Sequence, residues 1–141
     1  MADECTDVAN KEQFTICMRW VGEDMQDHED FVGLYEMAKI DANSLVRAIK
    51  DTLVRMNVQL TNCRGQCYDG ASNMSGSRNG VATQIAREEN RALYVHCFGH
   101  ALNLAVADTV KQSKVCRDAL EIALEVTKLV KFSPKRNAAF N

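Results

Sequence analysis

Residues 65–80, GQCYDGASNMSGSRNG, decide the fold, because extended chain ends there at an aspartate and a loop of small residues follows. Val58–Tyr68 is predicted to be a strand interrupted by Gly65, so Asp69 stands at its carboxyl end. In open sheets covered by helices, ligands bind at the carboxyl ends of strands. Asp69 is therefore the first candidate for a functional side chain.

The chain before this segment predicts an antiparallel pair of strands. Gln13–Val21 alternates apolar and polar side chains with the period of two that sends neighbouring residues to opposite faces of a sheet. Phe31–Met37 is the second predicted strand. The acidic, polar segment from Gly22 to Asp30 is expected to join them as a hairpin loop. The N-terminal part is thus predicted to be a strand meander.

Apolar residues at helical spacing predict four helices. The first begins after Asp41 or Asn43, either of which can cap a helix, and ends near Asn57. The later elements are a helix at Val81–Glu89, a short buried strand at Ala92–Cys97, and helices at Leu102–Val110 and Val115–Val130. Pro134 follows the last helix and fits a helix terminator.

The predicted order of strand, strand, helix, strand, helix, strand, helix, helix is typical of an α/β fold, a mixed sheet covered by helices. We expect one domain over residues 1–141, with a strand meander in 1–37, a helix and strand core in 38–100, and C-terminal helices in 101–141. With 141 residues and 46% hydrophobic composition, the chain can bury a substantial core.

Composition limits the partners and the compartment. The chain has 17 basic and 19 acidic residues and a net charge of -2, so no overall positive field attracts nucleic acid and any DNA contact must be local. Six cysteines and no signal peptide after Met1 favour free thiols in a reducing, intracellular compartment. No run of about 18 apolar residues occurs, so we expect no membrane span.

Four segments carry a resemblance to a known family. They are DECTD at 3–7, DGASNMSG at 69–76, VHCFGHALNL at 95–104 and FSPKR at 132–136. In this order and spacing they resemble the catalytic region of hAT-superfamily DNA transposases and of the domesticated, zinc-finger-linked vertebrate proteins similar to them. The resemblance implies an RNase H-like mixed sheet flanked by helices, truncated before the family's insertion region and final helix. It also implies a nuclear protein, DNA as the partner in the parent family, and protein partners or a dimer formed through the missing regions.

Asp3 and Asp69 match the first two catalytic, metal-binding aspartates of that family, and the resemblance assigns them Mg²⁺ or Mn²⁺. Hard carboxylate oxygens suit these ions, and two such ions can activate water and stabilise the leaving oxygen of a phosphodiester. Without the resemblance, Asp69 can simply form a turn with Gly70, and Asp3 can be a frayed terminal residue. His96, on the next predicted strand, either lies near the carboxylates or covers the sheet.

The chain departs from the family pattern in two places. The family's third acidic residue lies far beyond the insertion region, and nothing in the positions of Glu121 and Glu125 suggests that they replace it. Only Met1 and Ala2 precede Asp3, whereas the family's first strand begins several residues before its aspartate. We therefore expect a fragment or remnant of a transposase core that is inactive alone. The alternative is a domesticated, non-catalytic scaffold for protein or DNA binding.

Cys97 and His100 match the family's Cys-x2-His element, which we interpret as structural. A second alternative function is a small zinc-stabilised binding domain, because Cys63 and Cys67 can complete a set of four zinc ligands with this pair. Otherwise Cys97 packs as a small apolar residue, and His100 starts a helix and hydrogen-bonds to the loop that follows the central aspartate.

Overall fold

The computed structural model describes residues 1–133, 135, 136 and 138. The chain forms two compact units, Met1–Cys97 and Phe98–Asn141. The single domain expected over residues 1–141 stays a prediction. Pro134, which is expected to end the last helix, lies outside the described residues.

The first unit alternates strands and helices. Its strands are β1 (Ala2–Thr6), β2 (Glu12–Val21), β3 (Asp27–Met37), β4 (Gly65–Tyr68) and β5 (Leu93–His96). Its helices are α1 (Ala42–Arg55), α2 (Ser72–Ser75) and α3 (Val81–Glu88), and a short 3-10 turn spans Leu60–Asn62. The mixed α/β architecture expected from the sequence is confirmed.

The strands form an antiparallel sheet in the order β1, β2, β3 and a separate parallel pair of β4 with β5. β1 lies next to β4. The register sets the faces of the sheet, because Ala2 lies opposite Ile16 and Glu4 lies opposite Phe14. Ala2, Ile16 and Phe14 are buried, so this face covers the core. Asp3, between Ala2 and Glu4, points to the other face.

The core lies between the antiparallel sheet and the helices. Its most deeply buried side chains come from β2, α1, α2 and α3, and they are Phe14, Leu45, Thr52, Met74, Val81 and Ile85. Asp41 caps α1, because its Oδ1 accepts hydrogen bonds from the backbone nitrogens of Asn43 and Ser44, each at 3.1 Å. The sequence predicted either Asp41 or Asn43 as the capping residue, and Asp41 is the one that caps the helix.

The N-terminal strands differ from the sequence prediction. No periodic pattern predicts β1, which becomes a strand by pairing with β2. The predicted loop Gly22–Asp30 is wrong in its second half, because β3 already begins at Asp27. Cross-strand contacts explain the longer strand, since the Trp20 ring stacks on His28 at 4.3 Å between ring centres. The Trp20 Nε1 also donates to the carboxylate of Asp30 at 2.7 Å.

Two further predictions in this unit need correction. Val58–Tyr68 is not one strand, because the chain after α1 makes the 3-10 turn and β4 starts only at Gly65. β5 is not buried, since Leu93 is 68% exposed and Val95 is 44% exposed. Apolar composition predicted burial for β5, but within the described residues it pairs with β4 alone.

Gln66 ties β4 to α3 and to the chain that enters β5. The residue is buried, and its Nε2 donates to the carbonyl oxygens of Ala82 at 3.0 Å and of Ala92 at 2.9 Å. Ala82 lies at the start of α3 and Ala92 directly precedes β5. One amide on β4 therefore holds two points of the crossover, the connection that runs from β4 through α3 to β5. Both of these alanines are buried, and a buried carbonyl without a partner costs free energy.

The loop from Gly76 to Gly80 is held against α3 by side chains of that helix. Thr83 donates to the carbonyl of Gly76 at 2.9 Å, Gln84 to that of Asn79 at 2.9 Å, and Arg87 to that of Arg78 at 2.6 Å. A Cβ on Gly80 would overlap the backbone nitrogen of Gly76 and lie 3.0 Å from the carbonyl oxygen of Met74. The loop backbone is therefore fixed, while the side chains of residues 77–79 are exposed.

The second unit is a pair of helices, α4 (Phe98–Gln112) and α5 (Lys114–Lys131). Ser113 joins them and caps α5, because its Oγ accepts from the backbone nitrogen of Cys116 at 3.4 Å. The predicted start of α4 at Leu102 is wrong, since Gly99 and His100 are already helical. One helical glycine costs only about 1 kcal/mol, which does not prevent a 15-residue helix.

No described residue of α4 or α5 is buried. Within the described part of the chain, no helix is both long enough and apolar enough to cross a membrane.

We expect Gln66→Glu to destabilise the first unit. The change keeps the size of the side chain, but it removes both N–H donors and turns an oxygen toward two buried carbonyl oxygens. The free energy of unfolding should fall by about 1–3 kcal/mol or more, measured by urea denaturation at neutral pH. Gln59→Glu makes the same change at an exposed position and is the control. Equal stability of the two variants would show that the Gln66 amide does not hold the crossover.

We expect Gly80→Ala to destabilise the loop, because the new Cβ meets backbone atoms that cannot move aside cheaply. The free energy of unfolding should fall by about 1–3 kcal/mol, measured by thermal unfolding. Gly65→Ala is the matched control, since its Cβ would lie 3.9 Å from the nearest atom, the carbonyl oxygen of Leu93. A Gly80 variant as stable as the Gly65 variant contradicts a tightly fixed loop.

Candidate carboxylate site

Asp69 follows β4 directly and opens the loop that leads into α2. Its Oδ1 accepts a hydrogen bond from the backbone nitrogen of Ala71 at 3.0 Å, which is the contact of an Asx turn. The side chain is half-buried. Asp69 therefore lies at the carboxyl end of a strand, as expected from the sequence, and one of its oxygens already stabilises the local turn.

Asp3 is a paired residue of β1 rather than a frayed terminus, because it lies opposite Thr15 of β2. Its carboxylate is exposed, and its Oδ1 accepts from the backbone nitrogen of Glu4 at 3.0 Å. β1 lies near β4, so Asp3 on β1 and Asp69 just after β4 belong to neighbouring segments despite their separation in sequence.

Glu4 is an acidic residue of this region that the sequence interpretation missed. Its carboxylate accepts from Nδ2 of Asn73 at 2.8 Å, and the same Asn73 amide donates to the carbonyl oxygen of Ile40 at 2.9 Å. Burial raises the pKa of Glu4, and the negative charges of Asp69 and Asp3 raise it further against the opposing effect of the Asn73 hydrogen bond. Sequence reasoning had no signal for Glu4, because no periodic pattern predicts β1 and only the pairing with β2 places Glu4 on the face of buried Ala2.

Tyr94 and His96 of β5 lie beside the Asp69 turn. The Tyr94 hydroxyl donates to the carbonyl oxygen of Asp69 at 3.1 Å and lies 3.2 Å from Nδ1 of His96. The His96 ring lies against Gly70, where a Cβ would come within 3.1 Å of its Cε1. His96 therefore lies beside the backbone of the Asp69 turn, and its position relative to the carboxylates stays a prediction.

The four predicted zinc ligands come from different points of the chain, and two of them, Cys67 and Cys97, lie close together. Cys63 follows the 3-10 turn and its thiol donates to the carbonyl of Gly65 at 3.3 Å. Cys67 lies on β4, where burial and the nearby Cys97 raise the pKa of its thiol. Cys97 ends the first unit, whereas His100 belongs to α4 of the second unit.

Within residues 1–133, 135, 136 and 138, no group of three or more histidine, cysteine, aspartate or glutamate side chains is placed to hold a metal ion. Asp3, Glu4 and Asp69 each accept a hydrogen bond from the protein through one carboxylate oxygen, and an ionised carboxylate has further lone pairs that can bind a cation. Divalent metal at Asp3 and Asp69 and zinc at the Cys and His set both stay predictions.

Comparison with known proteins identifies relatives of this chain. Its residues 1–80 match the family DUF4371, described as the ZMYM1/FAM200 RNase-like domain. The chain is 27% identical over 113 residues to the Homo sapiens protein named 52 kDa repressor of the inhibitor of the protein kinase, and 28% identical over 111 residues to the Mus musculus protein of that name. Each alignment covers 78% of this chain and 14% of the relative, so the chain spans a small part of these proteins. No solved structure matches it.

The family match covers the antiparallel sheet, α1, β4 and the Asp69 loop. It confirms the RNase H-like fold class and the resemblance to domesticated hAT-derived proteins. On the strength of this match and of the mixed α/β fold, the chain belongs to the DUF4371 family of ZMYM1/FAM200 RNase-like domains.

Proposed function

We propose that this chain is the RNase-like part of a transposase-derived regulatory protein, and that here the fold serves as a non-catalytic scaffold. The observation that carries the proposal is the use of the carboxylates inside the protein. Asp69 stabilises its own turn, and Glu4 joins β1 to α2 through Asn73. Side chains committed to such contacts support the fold and leave fewer oxygens for a metal ion.

The names of the relatives support a regulatory role. Both are repressors by name, and the chain spans 14% of their length. On this basis we also propose that the scaffold acts in the nucleus within a larger assembly. Its partners there are DNA, other proteins or a second copy of this chain. Fluorescence imaging of the tagged chain, set against a tag alone, tests the nuclear location.

A second candidate function is the metal-dependent phosphodiester chemistry of the parent family, with Asp3 and Asp69 as metal ligands. The observation that favours it is the proximity of β1, which carries Asp3, to β4, which Asp69 directly follows. Mg²⁺ or Mn²⁺, when bound, would activate water for attack on a phosphodiester. The chain's own contribution would be to hold the two carboxylates on neighbouring strands.

Calorimetric titration of Mn²⁺ and Mg²⁺ into the purified chain distinguishes the two functions. The scaffold proposal predicts no saturable binding, and equal heats for the native chain, Asp3→Asn and Asp69→Asn. Asp27→Asn removes a carboxylate from the exposed start of β3 and is the matched control.

Saturable binding that disappears in both Asp3→Asn and Asp69→Asn, and persists in Asp27→Asn, would overturn the scaffold proposal in favour of the metal site. The same preparation, analysed for bound zinc, tests the zinc-stabilised domain. Stoichiometric zinc that is lost on Cys67→Ser would support that domain.

The raised pKa of Glu4 gives a further test of its structural role. Burial favours the neutral acid in the folded state, so Glu4 contributes stability below its unfolded pKa, and that contribution is lost as pH rises through its folded pKa. Glu4→Gln keeps an acceptor for Asn73 and removes the charge. The variant should be at least as stable as the native chain at neutral pH, and its advantage should disappear in acid.

Urea denaturation across a pH series measures this difference in stability. Glu23→Gln, in the exposed turn between β2 and β3, carries the same change of charge and is the control. A Glu4→Gln variant that is clearly less stable at neutral pH would mean that the ionised carboxylate is needed for the fold.

A further inference from the structure

Cys67 and Cys97 lie on the same face of the parallel pair of β4 and β5. Cys67 is in register with Val95, and paired residues of neighbouring strands point to the same side of a sheet. Cys97 comes two residues after Val95, and its backbone nitrogen donates to the carbonyl oxygen of Tyr68 at 2.8 Å. The pairing thus extends to Cys97, and the two cysteines are diagonal neighbours on one face.

The two side chains also affect each other's chemistry. Burial raises the pKa of the Cys67 thiol, and the Cys97 side chain raises it further through its charge and through hydrogen bonding. Hydrogen bonding acts only over a short distance, so the two sulfur atoms lie close together.

Both thiols can be reached from solvent. Cys67 and Cys97 are each half-buried, and Val95 on the same face is 44% exposed. All six cysteines of the chain are free thiols. A small oxidant can therefore reach this pair, and access is one condition for the oxidation of a cysteine.

The spacing of the pair is close to what a disulfide needs. Two Cα atoms joined by a disulfide lie at most about 7 Å apart, and diagonal neighbours in a sheet lie about 7–8 Å apart. The remaining approach must come from the backbone. Cys97 lies just beyond the last residue of β5, so its backbone can shift without changing the register of the two strands.

Cys63 is the competing partner for Cys67 along the chain. Its thiol donates to the carbonyl oxygen of Gly65 at 3.3 Å, and it lies before the start of β4. The Cys63 thiol is thus directed to the backbone, whereas Cys97 shares a face with Cys67. The geometry favours Cys97 as the partner.

We propose that Cys67 and Cys97 are a modification site, at which hydrogen peroxide joins them in a reversible disulfide across the carboxyl ends of β4 and β5. The inference goes beyond the scaffold role and does not depend on metal binding by the aspartates. In a reducing compartment, which the sequence predicts, such a disulfide forms only under oxidation and reports the redox state.

The reaction proceeds in two steps. One thiolate attacks an oxygen of hydrogen peroxide and becomes a sulfenic acid, while the O–O bond breaks and the departing hydroxide takes up a proton to give water. The second thiolate attacks the sulfenic sulfur, which forms the S–S bond and releases the second oxygen as water. Overall, two thiols lose two hydrogen atoms, and one hydrogen peroxide is reduced to two waters.

The disulfide would close the chain segment of residues 67–97 into a loop. This segment contains the Asp69 turn, α2, the loop at residues 76–80 and α3. A crosslink of this kind stabilises a fold mainly by restricting the unfolded chain, so oxidation should make the first unit harder to unfold. It would also consume two of the four predicted zinc ligands.

Peptide mapping of the full chain tests the proposal. The purified chain is treated with hydrogen peroxide in the presence of EDTA, the remaining thiols are blocked with N-ethylmaleimide, and the chain is digested with trypsin. Cleavage at the arginines and lysines releases Cys67 in the peptide of residues 65–78, Cys97 in that of 92–111 and Cys63 in that of 56–64. Mass spectrometry should find the first two peptides joined after peroxide treatment, and separate after dithiothreitol.

Thermal unfolding gives a second readout. The midpoint of the native chain should rise on oxidation and return with dithiothreitol. Cys67→Ser and Cys97→Ser should each abolish the crosslink and the rise. Cys63→Ser is the matched control, because it removes a half-buried thiol next to β4, and it should keep both. Circular dichroism shows that each reduced variant is folded.

The proposal is overturned if peroxide leaves the two peptides of the native chain unlinked, or if Cys67 is joined to the peptide that carries Cys63. A crosslink that forms only in urea, or only between two chains on non-reducing electrophoresis, would also overturn it. So would a crosslinked chain that unfolds at the same midpoint as the reduced one. Saturable metal binding at Asp3 and Asp69 would change the proposed function alone and leave this result intact.

Discussion

The buried amide of Gln66 on β4 adds side-chain hydrogen bonds to the backbone pairing of β4 with β5. It donates to the first turn of α3 and to the residue before β5, and so fixes the crossover from β4 to β5. Asp69 directly follows β4, and α3 carries the donors that hold the loop at residues 76–80. The buried Gln66 amide therefore links the strand that leads to Asp69 with the helix that fixes this loop.

The acidic and basic groups of this region are used in different ways. Asp69 and Glu4 accept hydrogen bonds from the protein itself, and these bonds stabilise the start of the loop and its contact with β1. Arg87 donates to a carbonyl rather than to a carboxylate, so its bond fixes the loop without cancelling its charge. The hydrogen-bond partners of all three side chains are neutral groups of the protein, so these contacts fix the local backbone whichever function the fold serves.

Elements with a strong periodic pattern were predicted well, and elements made by pairing were not. β2, α1, α3 and α5 follow apolar spacings of two or of three to four residues, and their bounds agree with the structure within one or two residues. β1 and the start of β3 have no such pattern. They are strands because β2 supplies backbone partners on both sides, and because Trp20 stacks on His28 across the hairpin. The prediction that β5 is buried was wrong, because the apolar composition of a strand does not determine which other elements cover it.

The sequence by itself determined the α/β class, the family, and the position of Asp69 at the end of a strand, because apolar spacing and short motifs are local properties. Only the tertiary structure decided how the charged groups are used. The Asn73 contact with Glu4 joins residues 69 positions apart, and the ties between α1 and α3 join residues about 40 apart. Such contacts depend on how helices and strands pack, and no local pattern of residues specifies which charged side chains are bonded within the fold.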